Sequence, residues 1–323
     1  MIKGLRWLLL AAVPCLLFIP SKSFAVVTGA NPSVSGFNNT SGFPVSGLNN
    51  VGIMSNQGAS CVYLGNNWVL TAYHVVSNGS GGFVSNLTAD FGGNSYNGDG
   101  DDIRLNNPAN LGGQPTDIVL FQLSSTPTGL SNVTIASSSP AIGTNYYNAG
   151  FGLDRSTALE GFNNYFVQTN EADPPYQGYG ISGQAEITWG ENFVYNVGTD
   201  EDPANTIVIN AGFGNLTTFA SAFVNSATSD QIVPGDSGGG VFNASNQLIG
   251  MNDAEATLTD SGTMANQNGD TQALLGDDSY LADLATYSSE INSVVSVPEP
   301  TSTVLLAAMA LPLLARRRRT ASV

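Results

Sequence analysis

Apolar residues in this 323-residue chain come in short runs of four to six, each closed off by glycine, asparagine, serine or proline. Residues 61–64, 68–72, 118–123, 132–136, 185–189, 206–210, 239–242 and 247–251 are the clearest. Runs of that length suit strands and are too short for helices, and the turn formers between them let the chain reverse. The pattern predicts an all-β barrel or sandwich. One segment departs from it. Over 279–294, Tyr280, Leu281, Leu284, Tyr287 and Ile291 share one face at helical spacing, so a single helix is expected at the end of the β domain. No repeat of fixed period is present.

Both ends read as addresses rather than fold. Residues 1–25 hold Lys3 and Arg6, an apolar run over 7–19, and the small residues Ser23 and Ala25. That is the pattern of a secretory signal peptide cut after Ala25, which makes Val26 the expected mature start. The apolar run is short for a membrane span. Near the other end, Val297-Pro298-Glu299-Pro300 precedes an apolar stretch over 304–315 and then Arg316 to Arg319. These three parts, in that order, resemble the PEP-CTERM sorting signal of Gram-negative bacteria. The resemblance implies recognition by an exosortase, transient contact with the inner membrane, and delivery to the cell surface or the extracellular medium. The short apolar stretch can enter a bilayer, and the arginines hold the terminus on the cytoplasmic side. The chain divides into 1–25, a body over 26–295, and a linker and tail over 296–323.

The body is long enough for one large or two small cores. Its only basic residues are Arg104 and Arg155, against 24 acids, a formal charge of −22. Nothing there could neutralise phosphates, so nucleic acid is excluded as a partner. The acidity favours solubility, with a solvated surface as the plainest reading. Asp99-Gly100-Asp101-Asp102 offers hard oxygen ligands in an expected loop, but its spacing is not that of a full calcium loop. A solvated acidic turn is preferred there, and no metal is assigned. Cys15 lies in the signal segment, leaving Cys61 alone in the body. An internal disulfide is therefore impossible in the mature chain, and Cys61 reads as a small buried apolar residue.

The chemistry gathers in three places. His74, the only histidine, lies in Leu70-Thr71-Ala72-Tyr73-His74-Val75, at the end of an expected buried strand. Asp117 heads the apolar run of Thr116-Asp117-Ile118-Val119-Leu120-Phe121, and Ser237 sits within Gly235-Asp236-Ser237-Gly238-Gly239-Gly240. A serine hydroxyl is a weak nucleophile until a base takes its proton. Imidazole is the side chain that ordinarily titrates nearest neutrality, and a carboxylate on its other nitrogen fixes the tautomer.

The three motifs in the order His, Asp, Ser resemble the trypsin/chymotrypsin family of serine proteases, over roughly 26–295. The resemblance implies two packed antiparallel β-barrels with a C-terminal helix. His74 and Asp117 would come from the first barrel and Ser237 from the second. The amides matching Gly235 and Ser237 would form the oxyanion hole, where losing one donor typically costs about 10²–10³ in rate. Asp236 would pair with a new N-terminus, and Val26-Val27-Thr28-Gly29 is similar to the family's Ile-Val-Gly-Gly, with Thr28 departing. The pocket floor would be Gln231, one position from Asp230; residues 251–255 do not match the family's Ser-Trp-Gly wall, so no side-chain preference follows. Val75 stands where many members have a cysteine, and Gly240 replaces a common proline. Residues 154–204, with Asp173-Pro174-Pro175, read as rich in insertions. The implied activity is endopeptidase action on a protein or peptide, without a cofactor. A non-catalytic trypsin-like module binding surface or matrix is the alternative. An α/β-hydrolase esterase needs the chain order Ser, Asp, His, which is not the order here.

Overall fold

The computed structural model describes residues 26–28, 43–153, 155–156, 158–182, 187–195, 206–226, 229–258, 264–265 and 272–296. After β1 (Val27–Thr28) come β2 (Val51–Met54), β3 (Ala59–Gly65), β4 (Trp68–Ala72), the one-turn α1 (Tyr73–Val76), β5 (Thr88–Phe91), β6 (Asn94–Asn106) and β7 (Pro115–Leu123). Strands β2 to β7 close a barrel in the order β2-β3-β4-β7-β6-β5. Tight hairpins set its register. Asn66 and Asn67 have φ of 48° and 68° between β3 and β4, and Gly92 and Gly93 have 56° and 80° between β5 and β6. Paired left-handed residues match the right-handed twist of the strands that they join.

Strands β3, β4 and β7 are buried along almost their whole length because both of their faces are covered. Alternate residues point to opposite faces of a strand. Cys61, Tyr63, Val69, Val119 and Phe121 fill the barrel interior. Their neighbours Val62, Leu64, Leu70, Ile118 and Leu120 join Phe242, Leu248 and Met251 in a second cluster that welds this barrel to the rest of the chain. Double-sided burial is why these strands read as continuous apolar runs rather than alternating ones. Burial also pushes the Cys61 thiol well up, as expected of an inert core cysteine.

The second half holds β8 (Thr134–Ile135), β9 (Asn145–Gly150), β10 (Glu160–Phe162), β11 (Gln168–Thr169), β12 (Tyr176–Gly180), β13 (Thr188–Phe193) and β14 (Ile207–Ile209). It continues with β15 (Leu216–Ala222), β16 (Asp230–Gln231), β17 (Gly240–Asn243), β18 (Gln247–Leu258), β19 (Met264–Ala265), β20 (Gln272–Leu274), β21 (Asp278–Asp283) and α2 (Leu284–Val295). Its main sheet runs β13-β9-β17-β18-β21-β15-β14. A bridge between Tyr195, just past β13, and Ala220 of β15 curls that sheet back on itself into the second barrel. Tyr146, Phe219, Val241, Ile249 and Leu281 fill it. The insertion-rich stretch contributes β10 to β12, which make a separate sheet with β20.

Two expectations are corrected. The terminal helix begins at Leu284, because residues 278–283 are a strand paired with β15 and β18. Asp283 ends that strand and caps the helix, accepting from the Ala285 amide at 3.1 Å. Tyr280 and Leu281 therefore belong to a sheet, and only Leu284, Tyr287 and Ile291 form the buried helix face. The acidic segment expected in a loop lies in β6, a strand of 13 residues whose ladder with β7 is bulged between Gly98 and Asp102. The apolar pattern misses it because much of its length is exposed. Residues 1–25 and 297–323, which carry the expected signal and sorting tail, lie outside the described residues. Among the described residues no helix is long and apolar enough to cross a membrane.

Candidate active site

Strand β4 ends in α1, and that turn sets His74 beside β7. Asp117, almost wholly buried, accepts from the His74 backbone amide at 2.8 Å through Oδ1. Its Oδ2 lies 2.8 Å from His74 Nδ1. A carboxylate can only accept, so Nδ1 carries a proton, and in the neutral ring Nε2 is then the free base. Two charge-assisted contacts to one carboxylate fix the imidazole in position and tautomer, each worth about 1.5–3 kcal/mol. The Phe213 ring packs 5.5 Å from the imidazole, and the His74 side chain keeps 24% of its surface exposed.

Ser237 comes from the turn between β16 and β17. Two glycines make that turn possible. Gly235 has φ 98°, and a Cβ there would sit 2.3 Å from the Phe151 carbonyl. Gly238 has φ 87°, and a Cβ would sit 2.2 Å from the Ser60 carbonyl. Only glycine tolerates both the dihedral and the approach. Ser60 of β3 clamps the turn to the first barrel. Its hydroxyl donates to the Gly235 carbonyl at 2.8 Å, its amide donates to the Ser237 carbonyl at 2.9 Å, and the Phe151 amide donates to the hydroxyl at 2.7 Å. The amides of Gly235 and Ser237 donate to no other group among the described residues.

His74, Gly235 and Ser237 line one cleft of about 730 Å³ between the barrels, together with Ile232, Pro234 and Glu255. A larger cavity of about 1060 Å³ lies against β2 and β5 and contains none of the three. The Ser237 hydroxyl donates to the Asp253 carbonyl at 3.5 Å, and no hydrogen bond joins it to His74. Donor atoms of His74, Asp117 and Asp253 lie within 4.8 Å of one another. Hydrogen bonding already accounts for the approach of His74 to Asp117.

Asp236 turns away from the cleft into the second half of the molecule. It is wholly buried, and Oδ2 accepts from the Val233 amide at 2.8 Å. The backbone of Val26 and Gly152 also acts on this carboxylate, although Oδ1 has no hydrogen bond of full geometry. Burial pushes its pKa up to about 7, against the lowering pull of those backbone groups. Val26 and Val27 are buried beside it, and β1 pairs with β16, Val27 opposite Gln231.

Gln231 departs from the sequence expectation. It is fully buried under β1, accepts from the Ser279 hydroxyl at 3.1 Å, and does not line the cleft. The cleft wall is made instead by residues 232–235 and 253–255. Sequence reasoning also missed Arg104, although it is one of only two basic residues in the body. Its guanidinium lies 3.5 Å from the centre of the Tyr73 ring. Nε donates to the Thr116 carbonyl at 2.7 Å, and Nη2 donates to the Phe213 carbonyl. One cation thus ties the residue before His74, the residue before Asp117 and the backbone of Phe213, whose ring packs near the imidazole.

A family profile described as "Trypsin-like peptidase domain" matches residues 59–251, more than half of the chain and the span that holds this geometry. The chain belongs to the trypsin-like peptidase family. No curated protein matches it significantly in sequence. Several solved trypsin-like structures resemble it. Neuropsin, a serine protease of mouse brain, is 14% identical over 79% of this chain and 97% of its own, with a TM-score of 0.45. A Glu endopeptidase is 14% identical over 84% of this chain and 99% of its own, with a TM-score of 0.45. An inactive form of Rv3671c from M. tuberculosis H37Rv is 10% identical over 86% of this chain and 99% of its own, again with a TM-score of 0.45.

Proposed function

We propose that this trypsin-like peptidase is an exported serine endopeptidase with His74, Asp117 and Ser237 as its triad. The observation that carries the reading is the His74–Asp117 pair, with Nε2 left as the base, lining the same cleft as a serine on a glycine turn. Ser237 Oγ attacks the peptide carbonyl as His74 takes its proton. The oxyanion of the tetrahedral intermediate is held by the amides of Gly235 and Ser237. His74 then protonates the leaving amine, and water repeats the sequence on the acyl-enzyme.

Two further parts belong to the same proposal. Cleavage after Ala25 frees the Val26 ammonium, which pairs with Asp236 and orders the oxyanion turn. The burial of Val26 against this carboxylate supports it. The tail over 296–323 then sends the enzyme to the surface of a Gram-negative cell through exosortase machinery. Removing residues 297–323 should leave a soluble, active enzyme that fractionates away from the cell surface; unchanged surface retention would refute the address.

The competing reading is a non-catalytic surface or matrix-binding module, and the Ser237 hydroxyl turned toward the Asp253 carbonyl is the observation in its favour. A fluorophosphonate probe separates the two. Covalent labelling that is lost in Ser237→Ala is expected; a folded, processed protein that stays unlabelled would refute the peptidase reading.

A further inference from the structure

Asp253 sits where the ladder between β18 and β21 slips. Asn252 faces Leu281 and Ala254 faces Tyr280, so Asp253 is the extra residue of a β-bulge. A bulge re-aims a side chain away from the pleat. Here it brings a carboxyl oxygen of Asp253 within 4.8 Å of Asp117 and of His74. The same residue's carbonyl accepts from the Ser237 hydroxyl. Asp253 is 6% exposed and Asp117 2% exposed, so two carboxyl groups meet away from water behind His74. Two buried like charges in contact cannot both persist, and one proton must be shared between them.

We propose that Asp253 is a protonated carboxylic acid that donates its hydrogen bond to the Asp117 carboxylate, a positioning residue whose loss of that proton disables the triad at alkaline pH. Asp117 is the partner that stays ionised, because it already accepts from the His74 amide and faces Nδ1. Asp253 Oδ1 has no hydrogen-bond partner, which a neutral carbonyl oxygen tolerates far better than a carboxylate does. Burial, then the charge and hydrogen bond of Asp117, hold the Asp253 carboxyl well above the usual carboxylate range.

Among the described residues no arginine pairs with either carboxyl, and His74 is the one group near them that can carry a positive charge. His74 and Tyr73 face the pair from α1, and Asp236 and Ser237 come from the nucleophile turn. Glu255 follows on the same strand, and Tyr280 and Asp278 lie across the ladder on β21. Arg104 of β6 is engaged with the Thr116 and Phe213 carbonyls. When the shared proton leaves, the two carboxylates repel each other and Asp117 is drawn off His74. The loss could approach the roughly 10⁴-fold drop that follows when the triad aspartate no longer orients its histidine.

The pair itself stands on geometry, whereas its effect on turnover rests on the peptidase reading, so the test has two arms. The first is the infrared difference spectrum of wild-type protein minus Asp253→Asn at neutral pH. A protonated-carboxyl carbonyl band present only in wild type is expected; its absence would overturn the pair, whether or not the protein has activity. The second is the pH profile of kcat/KM. Asparagine donates to Asp117 but cannot lose a proton, so whatever its level of activity, Asp253→Asn should lack one alkaline ionisation that wild type shows. The alkaline fall due to the Val26 ammonium should remain in both. Superimposable profiles would overturn the coupling. If the asparagine variant does not fold, Asp253→Ser supplies a smaller donor with no titration of its own, and the same two outcomes decide.

Discussion

In the proposed mechanism Ser237 and His74 act on a single proton, so removing either should remove the same step. Ser237→Ala and His74→Ala should each lower turnover on a peptide substrate by on the order of 10⁵–10⁶, with the double variant hardly worse. Additive losses, or substantial activity in either purified single variant, would break the assignment. These residues were legible in the sequence because each needs a recognisable local setting: a buried strand before His74, another after Asp117, glycines around Ser237. Other residues at the site were not. Arg104 reaches the candidate triad through Thr116, Tyr73 and Phe213, and no spacing along the chain encodes that meeting. Asp253 was visible only as a departure from an expected wall sequence, since its direction depends on a bulge. Counting six residues back from Ser237 reached Gln231, but β1 covers that position and keeps it out of the cleft.

At the scale of elements, β1 is only two residues long, yet its place matters. Its Val27 side chain is wholly buried in a cluster with Tyr179, Ile181, Phe223, Val233 and Ala273, separate from the barrel cores. That cluster seats the chain at a fixed depth, with Val26 against Asp236. An ammonium at that depth would turn a carboxyl whose pKa burial holds near 7 into a stable carboxylate. Adding one residue before Val26 should therefore lower kcat/KM by about 10²–10³, the typical effect of losing one oxyanion donor, while the circular dichroism of the barrels is unchanged. Full activity with the added residue would mean that the oxyanion turn is ordered by another route. The sign of the pH effect follows from the ammonium. Pairing raises its folded pKa above the ordinary value of about 8, so the stabilisation is complete below 8 and is lost as pH rises through the raised value. Barrel strands were readable where both faces are buried, as in β4 and β7. The polar β6 was not, and the end helix was expected too early because Tyr280 and Leu281 suit a strand as well as a helix face.

The whole molecule carries its acids in an unusual way. Beyond a surface charge that is strongly negative, it buries carboxyls with few cations to meet them. Burial, with Asp236 and Glu191 nearby, holds Asp230 well above the usual range, and neither of its carboxyl oxygens has a hydrogen-bond partner among the described residues. Burial alone pushes Asp278 to about 6. Burial also raises Asp283, against hydrogen bonds from Ser139, Ala285 and Thr286. A carboxyl with a raised folded pKa keeps a proton that the unfolded chain releases. Its stabilisation is complete below the unfolded value, near 3.8, and is lost as pH rises through the folded value. Each of these groups therefore weakens the fold as pH rises from about 4 toward its raised folded value, about 6 for Asp278, and growing repulsion among the surface acids acts in the same direction. One unit of raised pKa corresponds to about 1.4 kcal/mol, and about 1 kcal/mol moves the Tm of a domain this size by roughly 2–4 °C. The Tm of the processed protein should fall by at least about 5 °C from pH 4 to pH 7 in low salt, and added salt should recover only the part due to surface repulsion. Calorimetry across that range is the check. A Tm that rises with pH would mean that the buried carboxyls are ionised and paired in the folded enzyme, the proton held between Asp253 and Asp117 included.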